Sequence, residues 1–283
     1  MSSLKLYGHA ISQPTRAVMQ LLAVQKEPHD FVKVNPVAGE TVTPDYLAKF
    51  PLGYAPAIEE VIGNGEKFYL AEAGAILPYL CETRKWEQWY PLSATSPAEI
   101  RRRARINEWL HWHHTAMRKC TIDAFRIHMI KYMKKRNMTL TPEKAALDQT
   151  LAPAVEKPSE PEKGLRTEEN QKFIKKLSVN IDELIHNAHW TQTNSTDVFM
   201  APGDKPSIAD LMTYCEIDQL DAIGTLDSLK TEKPLFNRWI EEMKKIDQHD
   251  EIRKPLFKLA QNMKKSGALK VEVSEEKQFF GVP

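Results

Sequence analysis

The hydrophobic pattern changes near residue 97, and this change limits the possible folds more than any other feature of the sequence. Before residue 97, short β-like runs at residues 4–6 and 31–34 alternate with segments of helical spacing. After residue 97, apolar residues recur at helical spacing, as in Ile106 and Trp109. A chain of 283 residues is also long enough for two cores. The sequence therefore predicts two unlike domains.

The first 85 residues predict the order β-α-β-α-β-β-α, which is typical of a small α/β domain. After the first strand, helix and strand, the predicted elements are a helix at 43–49, a hairpin of 57–62 and 67–70, and a helix at 72–82. The hairpin is indicated by Gly63-Asn64-Gly65, because these residues tolerate the positive φ angles of a tight turn.

The rest of the chain predicts an all-helical domain at residues 98–283. Residues 86–97 contain prolines, small polar residues and three aromatic residues, so we expect a linker that packs on the surface. Residues 151–166 include EKPSEPEKG, whose prolines and charges cannot bury an apolar face. This composition predicts that residues 151–166 form a mobile loop between helices.

Charge and composition exclude several classes of partner. The 39 basic and 38 acidic residues leave a formal net charge of +1, so nothing attracts the chain to nucleic acid. No run of about 18 apolar residues predicts a membrane span, and the first residues lack the apolar core of a secretory signal. We therefore expect a cytoplasmic protein with no nucleic-acid or membrane partner.

Neither the cysteines nor the histidines form a metal-binding pattern. The three cysteines are far apart and odd in number, which argues against both a disulfide framework and a zinc site. His111, His113 and His114 are close in sequence but lack acidic partners, and their spacing is typical of a helix with one buried and one exposed face. We expect no metal ion.

The segment SQPTRAV, at residues 12–18, lies where a strand is predicted to end and a helix to begin. Pro14 suits the first turn of a helix, so the Ser12 hydroxyl faces a helix N-terminus. Capping of that helix is the simpler interpretation of Ser12. However, Pro56 lies just ahead of a strand and Glu72 starts the next helix. We expect these three element starts, near Ser12, Pro56 and Glu72, to converge on one edge of the sheet.

Five segments occur in an order that resembles the theta class of glutathione transferases. They are KLYGHAISQPTRAV, FPLGYAPAI, LAEAGAILPYL, ARINEWLHWHHTAMR and KPSIADL. The resemblance implies a thioredoxin-like N-terminal domain (βαβαββα) that binds glutathione, and an all-helical C-terminal domain that supplies much of the electrophile pocket. It also implies a homodimer, with glutathione as co-substrate and no further cofactor. Within KPSIADL, Ser207 and Asp210 predict a capping box with a role in folding.

By the same resemblance, Ser12 donates a hydrogen bond to the glutathione sulfur and favours its thiolate. Glu72 holds the γ-glutamyl amino group, and Arg118 reaches the site from the helical domain to stabilise a developing anion. The glutathione-binding residues that the resemblance implies are Gln13, Thr41, Tyr54, Ala55, Pro56 as a cis proline, Glu72 and Ala73. The electrophile pocket is expected to use His114, Met117 and Thr121, and the tail residues Phe279 and Phe280 either cover the site or are disordered.

Three of these positions depart from the family pattern. Ala73 stands where a serine is common, Thr41 where a histidine is frequent, and Tyr54 where a lysine is frequent. Each lost charged hydrogen bond costs about 1.5 to 3 kcal/mol, so two or three losses weaken glutathione binding by orders of magnitude unless neighbours compensate. The candidate substitutes are His9, Gln13 and Lys49.

Two functions therefore stay open. The first is a detoxifying enzyme that attacks small electrophiles, such as alkyl halides or organic hydroperoxides, with glutathione thiolate. The second is a non-catalytic protein on the same fold, either a ligandin for apolar molecules or a protein-assembly module. The residues whose joint retention favours the enzyme are Ser12, Gln13, Pro56, Glu72 and Arg118. Tyr7 is a rival to Ser12, since other transferase classes use a tyrosine on the first strand.

Overall fold

A computed structural model describes residues 3–93, 95–136 and 198–269. The predictions about the loop at 151–166 and about Phe279 and Phe280 lie outside the described residues. The domain boundaries given above stay predictions.

The N-terminal part is a four-stranded mixed sheet with helices on it, as predicted. Its elements are β1 (Leu4–Gly8), α1 (Gln13–Val24), β2 (Asp30–Lys33), α2 (Pro44–Leu47), β3 (Ala57–Val61), β4 (Lys67–Ala71) and α3 (Ala73–Arg84). The strand order is β2-β1-β3-β4, with β1 and β2 parallel and the other pairs antiparallel. This arrangement is the thioredoxin-like fold that the resemblance implied.

The second helix is shorter than the predicted 43–49. Two 3₁₀ turns, Pro36–Ala38 and Glu40–Val42, come before α2. Gly39 separates them with φ 77°, a left-handed conformation that favours glycine. The chain therefore enters this region as consecutive tight turns, and only one helical turn remains for α2.

The two faces of the sheet carry different clusters. Leu4 and Leu6 of β1 face the main core, which α1 and α3 also line. Tyr7 points to the opposite face, where it packs with Tyr46 and Phe50 beneath α2. This alternation follows from the period of two along a strand.

The C-terminal part is helical in the described residues. Its elements are α4 (Pro97–Trp112), a π-helical turn (His113–Met117), α5 (Arg118–Lys135), α6 (Ile208–Ala222), α7 (Asp227–Glu232), α8 (Pro234–Lys244) and α9 (His249–Lys265). α6 is the central helix, because nearly all of its side chains are buried and it packs against α1, α4 and α5. The two parts therefore share one core across α1 and α6.

The predicted capping box at the start of α6 is confirmed, and its acidic residue does more than cap. One oxygen of the fully buried Asp210 accepts the Ser207 backbone N–H and hydroxyl, both at 2.8 Å. The other oxygen accepts the Met200 backbone N–H at 2.9 Å and the Trp239 indole N–H at 3.0 Å. One carboxyl group thus joins the loop before α6 to α8.

Replacing Asp210 with alanine is expected to lower the free energy of unfolding by about 2 to 3 kcal/mol, since buried donors lose their acceptor. Ser207→Ala is the control, because it removes a cap hydroxyl alone and is expected to cost about 1 kcal/mol. Urea unfolding measures both values. Equal losses in the two variants contradict the wider role of Asp210.

Candidate functional site

The sheet register brings the candidate residues to one end of the sheet. Tyr7 pairs with Ala57, and Ala57 pairs with Ala71 across the antiparallel strands. The end of β1, the start of β3 and the end of β4 therefore lie side by side. The segments that carry Ser12, Pro56 and Glu72 all adjoin this end. The expected convergence of these three element starts is therefore confirmed.

Ser12 is the residue immediately before α1, and its hydroxyl does not cap the helix. Its backbone is extended, at φ −65° and ψ 129°, and its side chain makes no capping hydrogen bond. Its backbone N–H donates to the His9 carbonyl at 2.8 Å, and its carbonyl accepts the Arg16 backbone N–H at 2.9 Å. The side chain is half-buried. The simpler interpretation, a capping serine, is therefore not what the structure shows.

Gly8 fixes how closely β1 approaches α1. A Cβ at Gly8 would lie 2.5 Å from Cγ2 of Thr15, which is far inside van der Waals contact. Any larger residue would push the helix away from the strand. The glycine therefore sets the position of the helix N-terminus at which Ser12 lies.

Glu72 has an unusual backbone conformation, with φ 71° and ψ 114°. Such a positive φ in a residue other than glycine costs on the order of 1 to 3 kcal/mol and is common at functional sites. Its carbonyl accepts the N–H groups of Ala75 at 2.9 Å and Ile76 at 2.8 Å, which begins α3. Its carboxylate makes no capping hydrogen bond and is 45% exposed.

The peptide bond between Ala55 and Pro56 is cis, as the resemblance implied. The neighbouring Tyr54 exposes 42% of its surface, and its carbonyl accepts the Tyr46 hydroxyl at 2.8 Å. This loop leads directly into β3 at the candidate end of the sheet.

A cleft of about 460 Å³ opens between the start of α3 and the helix α4 with its π-helical turn. Its lining residues are Glu72, Gly74, Ala75, Asn107, Leu110, His111 and His114. His114 lies directly over α3, since its Nε2 is 3.3 Å from where a Cβ of Gly74 would be. Ser12 is not among these lining residues. By contrast, a cavity of about 10 Å³ beside Arg16 is only large enough for a water molecule.

A buried polar network centres on Glu216 of α6, which is fully buried. Its carboxylate accepts Arg118 Nη1 at 2.7 Å and Thr121 Oγ1 at 2.9 Å. It also contacts His113 Nε2 at 3.2 Å and accepts Gln219 Nε2 at 3.2 Å. The network therefore joins the π-helical turn and α5 to α6.

The same network reaches the residue after Ser12. Gln13 Nε2 donates to Oε1 of Gln219, which in turn donates to Glu216. Burial alone would raise the pKa of Glu216, but the His113 hydrogen bond and the positive charge of Arg118 outweigh burial and lower this pKa to about 2. Glu216 is therefore ionised at neutral pH and connects Gln13 to Arg118.

Several predicted site residues lie elsewhere than expected. Met117 and Thr121 have no exposed surface, so their assignment to an open electrophile pocket is corrected: Met117 belongs to the core and Thr121 to the Glu216 network. Thr41 is also fully buried, and its hydroxyl has no hydrogen-bond partner among the residues that the structure describes. Gln13 is 6% exposed and its amide is bonded to Gln219, whereas the Arg118 side chain is 29% exposed. The side chains of Met117, Thr121 and Thr41 therefore have no surface on which a ligand can lie.

The rival Tyr7 is engaged on the other face of the sheet. Its hydroxyl donates to Glu59 Oε2 at 2.7 Å and accepts Lys49 Nζ at 3.4 Å. Burial and the hydrogen bond to Glu59 raise the pKa of Tyr7 above its ordinary value. Lys49 also pairs with Glu59 at 3.5 Å, so the candidate substitute for a missing lysine already has a carboxylate partner.

The described residues contain neither a cluster of metal-binding side chains nor a membrane-spanning helix. Among residues 3–93, 95–136 and 198–269, no three histidine, cysteine or acidic side chains lie close enough to hold a metal ion. In those same ranges no helix is both long and apolar enough to cross a bilayer.

The chain matches the family model "Glutathione S-transferase, N-terminal domain" over residues 2–82. It is 29% identical to glutathione S-transferase T1 of Arabidopsis thaliana over 272 residues, which cover 94% of each chain. It is 35% identical to glutathione S-transferase theta-3 of Mus musculus over 122 residues, 43% of this chain and 46% of the relative. A third relative, glutathione S-transferase T3 of Arabidopsis thaliana, is 28% identical, and the match covers 90% of this chain but only 37% of that protein.

Solved structures agree in fold. Human glutathione transferase theta-2, solved in complex with glutathione and an unknown ligand, superposes with a TM-score of 0.67 at 21% identity, covering 93% of this chain and 90% of that chain. An epsilon-class glutathione S-transferase from the housefly, Musca domestica, gives a TM-score of 0.64 at 19% identity, covering 95% and 100%. At these identities the superpositions establish the fold alone.

Proposed function

We propose that this chain, which belongs to the glutathione S-transferase family and has theta-class relatives, conjugates reduced glutathione to small electrophiles. The observation that carries the proposal is the half-buried Ser12 hydroxyl, which lies at the N-terminus of the 12-residue α1 and makes no capping hydrogen bond. A serine placed in this way has a donor available for an anion.

Ser12 is proposed to donate its hydroxyl hydrogen to the glutathione sulfur and so to favour the thiolate. Lowering the pKa of a thiol by about 2 units requires about 2.7 kcal/mol of preferential stabilisation. A hydrogen bond to a charged group contributes roughly 1.5 to 3 kcal/mol, and the positive end of α1 adds to it. The thiol proton leaves to solvent, and the sulfur attacks the electrophilic carbon and displaces its leaving group. We expect no metal or organic cofactor.

The other end of glutathione is proposed to bind at Glu72. Its carboxylate is not used as a helix cap and is nearly half exposed, so it is available to the γ-glutamyl ammonium. The Ala55 backbone, next to Pro56, is proposed to pair with the cysteinyl part. All three segments adjoin the same end of the sheet, which allows one extended tripeptide to contact them.

Arg118 is proposed to stabilise the anion that develops on the electrophile. One nitrogen of its guanidinium is bound to Glu216, but a guanidinium has five donor hydrogens and this side chain is 29% exposed. Glu216 is a positioning residue in this scheme, because it holds Arg118 without reaching the substrate. Peroxidase or dehalogenase side activity is part of the same proposal, since both chemistries use the thiolate.

A ligandin or assembly role is the second candidate, and the glycyl end of the site favours it. Thr41 is fully buried, Tyr54 carries no charge, and Lys49 already pairs with Glu59. A glycyl carboxylate then lacks the positive partners that the family pattern supplies. A homodimer, a cytoplasmic location and a detoxification role remain proposals from the family.

The proposal is tested by turnover of glutathione with an alkyl halide and, separately, with an organic hydroperoxide. Tyr7→Phe is expected to keep wild-type kcat/KM within about twofold, because the Tyr7 hydroxyl is bonded to Glu59. A fall of about 100-fold in Tyr7→Phe contradicts the assignment to Ser12. Absence of turnover with both electrophiles, together with tight binding of an apolar dye, would favour the ligandin.

A further inference from the structure

We propose that His114 binds the α-carboxylate of the γ-glutamyl group and so replaces the hydroxyl that Ala73 lacks. This inference rests on the proposed function and adds a substrate-binding residue to it. His114 was expected to contact the electrophile. Its position at the entrance to α3 points instead to the peptide end of glutathione.

The first argument is position. His114 Nε2 is 3.9 Å from Oε2 of Glu72, and both side chains line the same cleft. The ring also approaches the first turn of α3 at Gly74, where a methyl group would crowd it at 3.3 Å. An imidazole nitrogen therefore lies beside the carboxylate that is proposed to hold the γ-glutamyl ammonium.

The second argument is chemical complementarity. The γ-glutamyl group carries an ammonium and a carboxylate on the same carbon, so a ligand oxygen must lie near the ammonium that Glu72 binds. Glu72 repels that oxygen, and a donor has to offset the repulsion. Ala73 has no side-chain donor, whereas Nε2 of His114 is close to Glu72 and 39% of the His114 side chain is exposed.

The third argument is the charge of the ring. Burial, and then the nearby His113 and Arg118, lower the pKa of His114 below its ordinary value, although Glu72 and Glu216 oppose this. This shift favours the neutral ring over the imidazolium. A neutral imidazole protonated on Nε2 still donates one hydrogen bond to a carboxylate.

The test compares glutathione with 4-aminobutanoyl-cysteinyl-glycine, which lacks only the α-carboxylate. His114→Ala is expected to raise the dissociation constant of glutathione about tenfold, as loss of one hydrogen bond to a charged group does. The same substitution is expected to leave binding of the decarboxylated peptide unchanged. At saturating glutathione, kcat is expected to change by less than about twofold, because the sulfur is not touched.

Two further variants separate this role from a structural one. His114→Gln keeps a side-chain N–H donor and is expected to recover most of the affinity for glutathione. His111→Ala, in the same cleft, is expected to affect the two peptides by the same factor. Thermal unfolding of each variant shows whether it is folded.

An equal loss of both peptides in His114→Ala overturns the assignment of His114 while leaving the proposed function intact. A fall in kcat with unchanged affinity also overturns it and returns His114 to the electrophile. If the wild type binds no glutathione at millimolar concentration, the proposed function fails first, and this inference fails with it.

Discussion

Replacing Ser12 with alanine is expected to raise the pKa of the bound glutathione thiol by about 1 to 2 units and to lower kcat/KM by about 10- to 100-fold. The reason is that the hydroxyl is the side-chain donor proposed for the sulfur, and it makes no hydrogen bond to the backbone of α1 that would give it another role. The measurement is the pH dependence of kcat/KM with an alkyl halide. An unchanged profile contradicts the role of Ser12.

The same substitution is expected to leave the protein nearly as stable as the wild type. A serine that caps a helix contributes about 1 kcal/mol, but Ser12 makes no capping bond. Ser12→Thr is the matched control, because it keeps the hydroxyl and is expected to keep more activity than Ser12→Ala. Loss of stability in Ser12→Ala equal to that of a lost cap would show that the hydroxyl is structural.

Replacing Glu216 with alanine is expected to lower the free energy of unfolding by about 3 to 5 kcal/mol, because several hydrogen-bond donors lose their charged acceptor and a side-chain volume is lost from the core. Arg118 and Thr121 both lose their carboxylate acceptor. A cavity also forms where the Glu216 side chain packed between α5 and α6. Urea unfolding at neutral pH measures this loss. Gln219→Ala removes a single member of the network and is the control; an equal loss there contradicts the central role of Glu216.

The pH dependence of this effect has a defined sign. The pKa of Glu216 falls from its ordinary value of 4.5 to about 2 in the folded protein. A carboxyl group with a lowered pKa stabilises the fold fully above its unfolded pKa and loses that contribution as pH falls through the folded value. The difference in stability between wild type and Glu216→Gln is therefore expected to shrink between about pH 5 and pH 2. A constant difference contradicts the ionised network.

The N-terminal fold was predictable because its signals are local. The hairpin follows from the turn sequence Gly63-Asn64-Gly65. The helices follow from the helical spacing of apolar residues, and the start of α1 also follows from Pro14 in its first turn. The two 3₁₀ turns before α2 were missed, since proline and glycine there end a helix without showing which tight turn replaces it.

The helical side of the site was harder to predict. The π-helical turn at His113–Met117 inserts an extra residue, and one residue of an α-helix rotates the side chain by about 100°. A position in the sequence therefore does not say which face of the helix Met117 and Thr121 occupy, and both prove to be buried. The resemblance gave their position in the chain but not the phase of the helix.

The network around Glu216 was missed because its members are distant in sequence. Arg118 and Glu216 are 98 residues apart, and no local pattern pairs them. One signal was available: Glu216 and Gln219 lie three residues apart on a helix that is otherwise rich in apolar residues. Polar residues at helical spacing inside such a helix indicate a buried polar contact, although not its partner.

The most direct test of the central claim is the pKa of the glutathione thiol when it is bound to the wild-type protein. It is read from thiolate absorbance against pH, after calorimetric titration has established saturation with reduced glutathione. The proposal predicts binding with a thiol pKa clearly below the ordinary value of about 8.5, and loss of that shift in Ser12→Ala. An unshifted pKa in the saturated wild type, or no binding at millimolar glutathione, would contradict it.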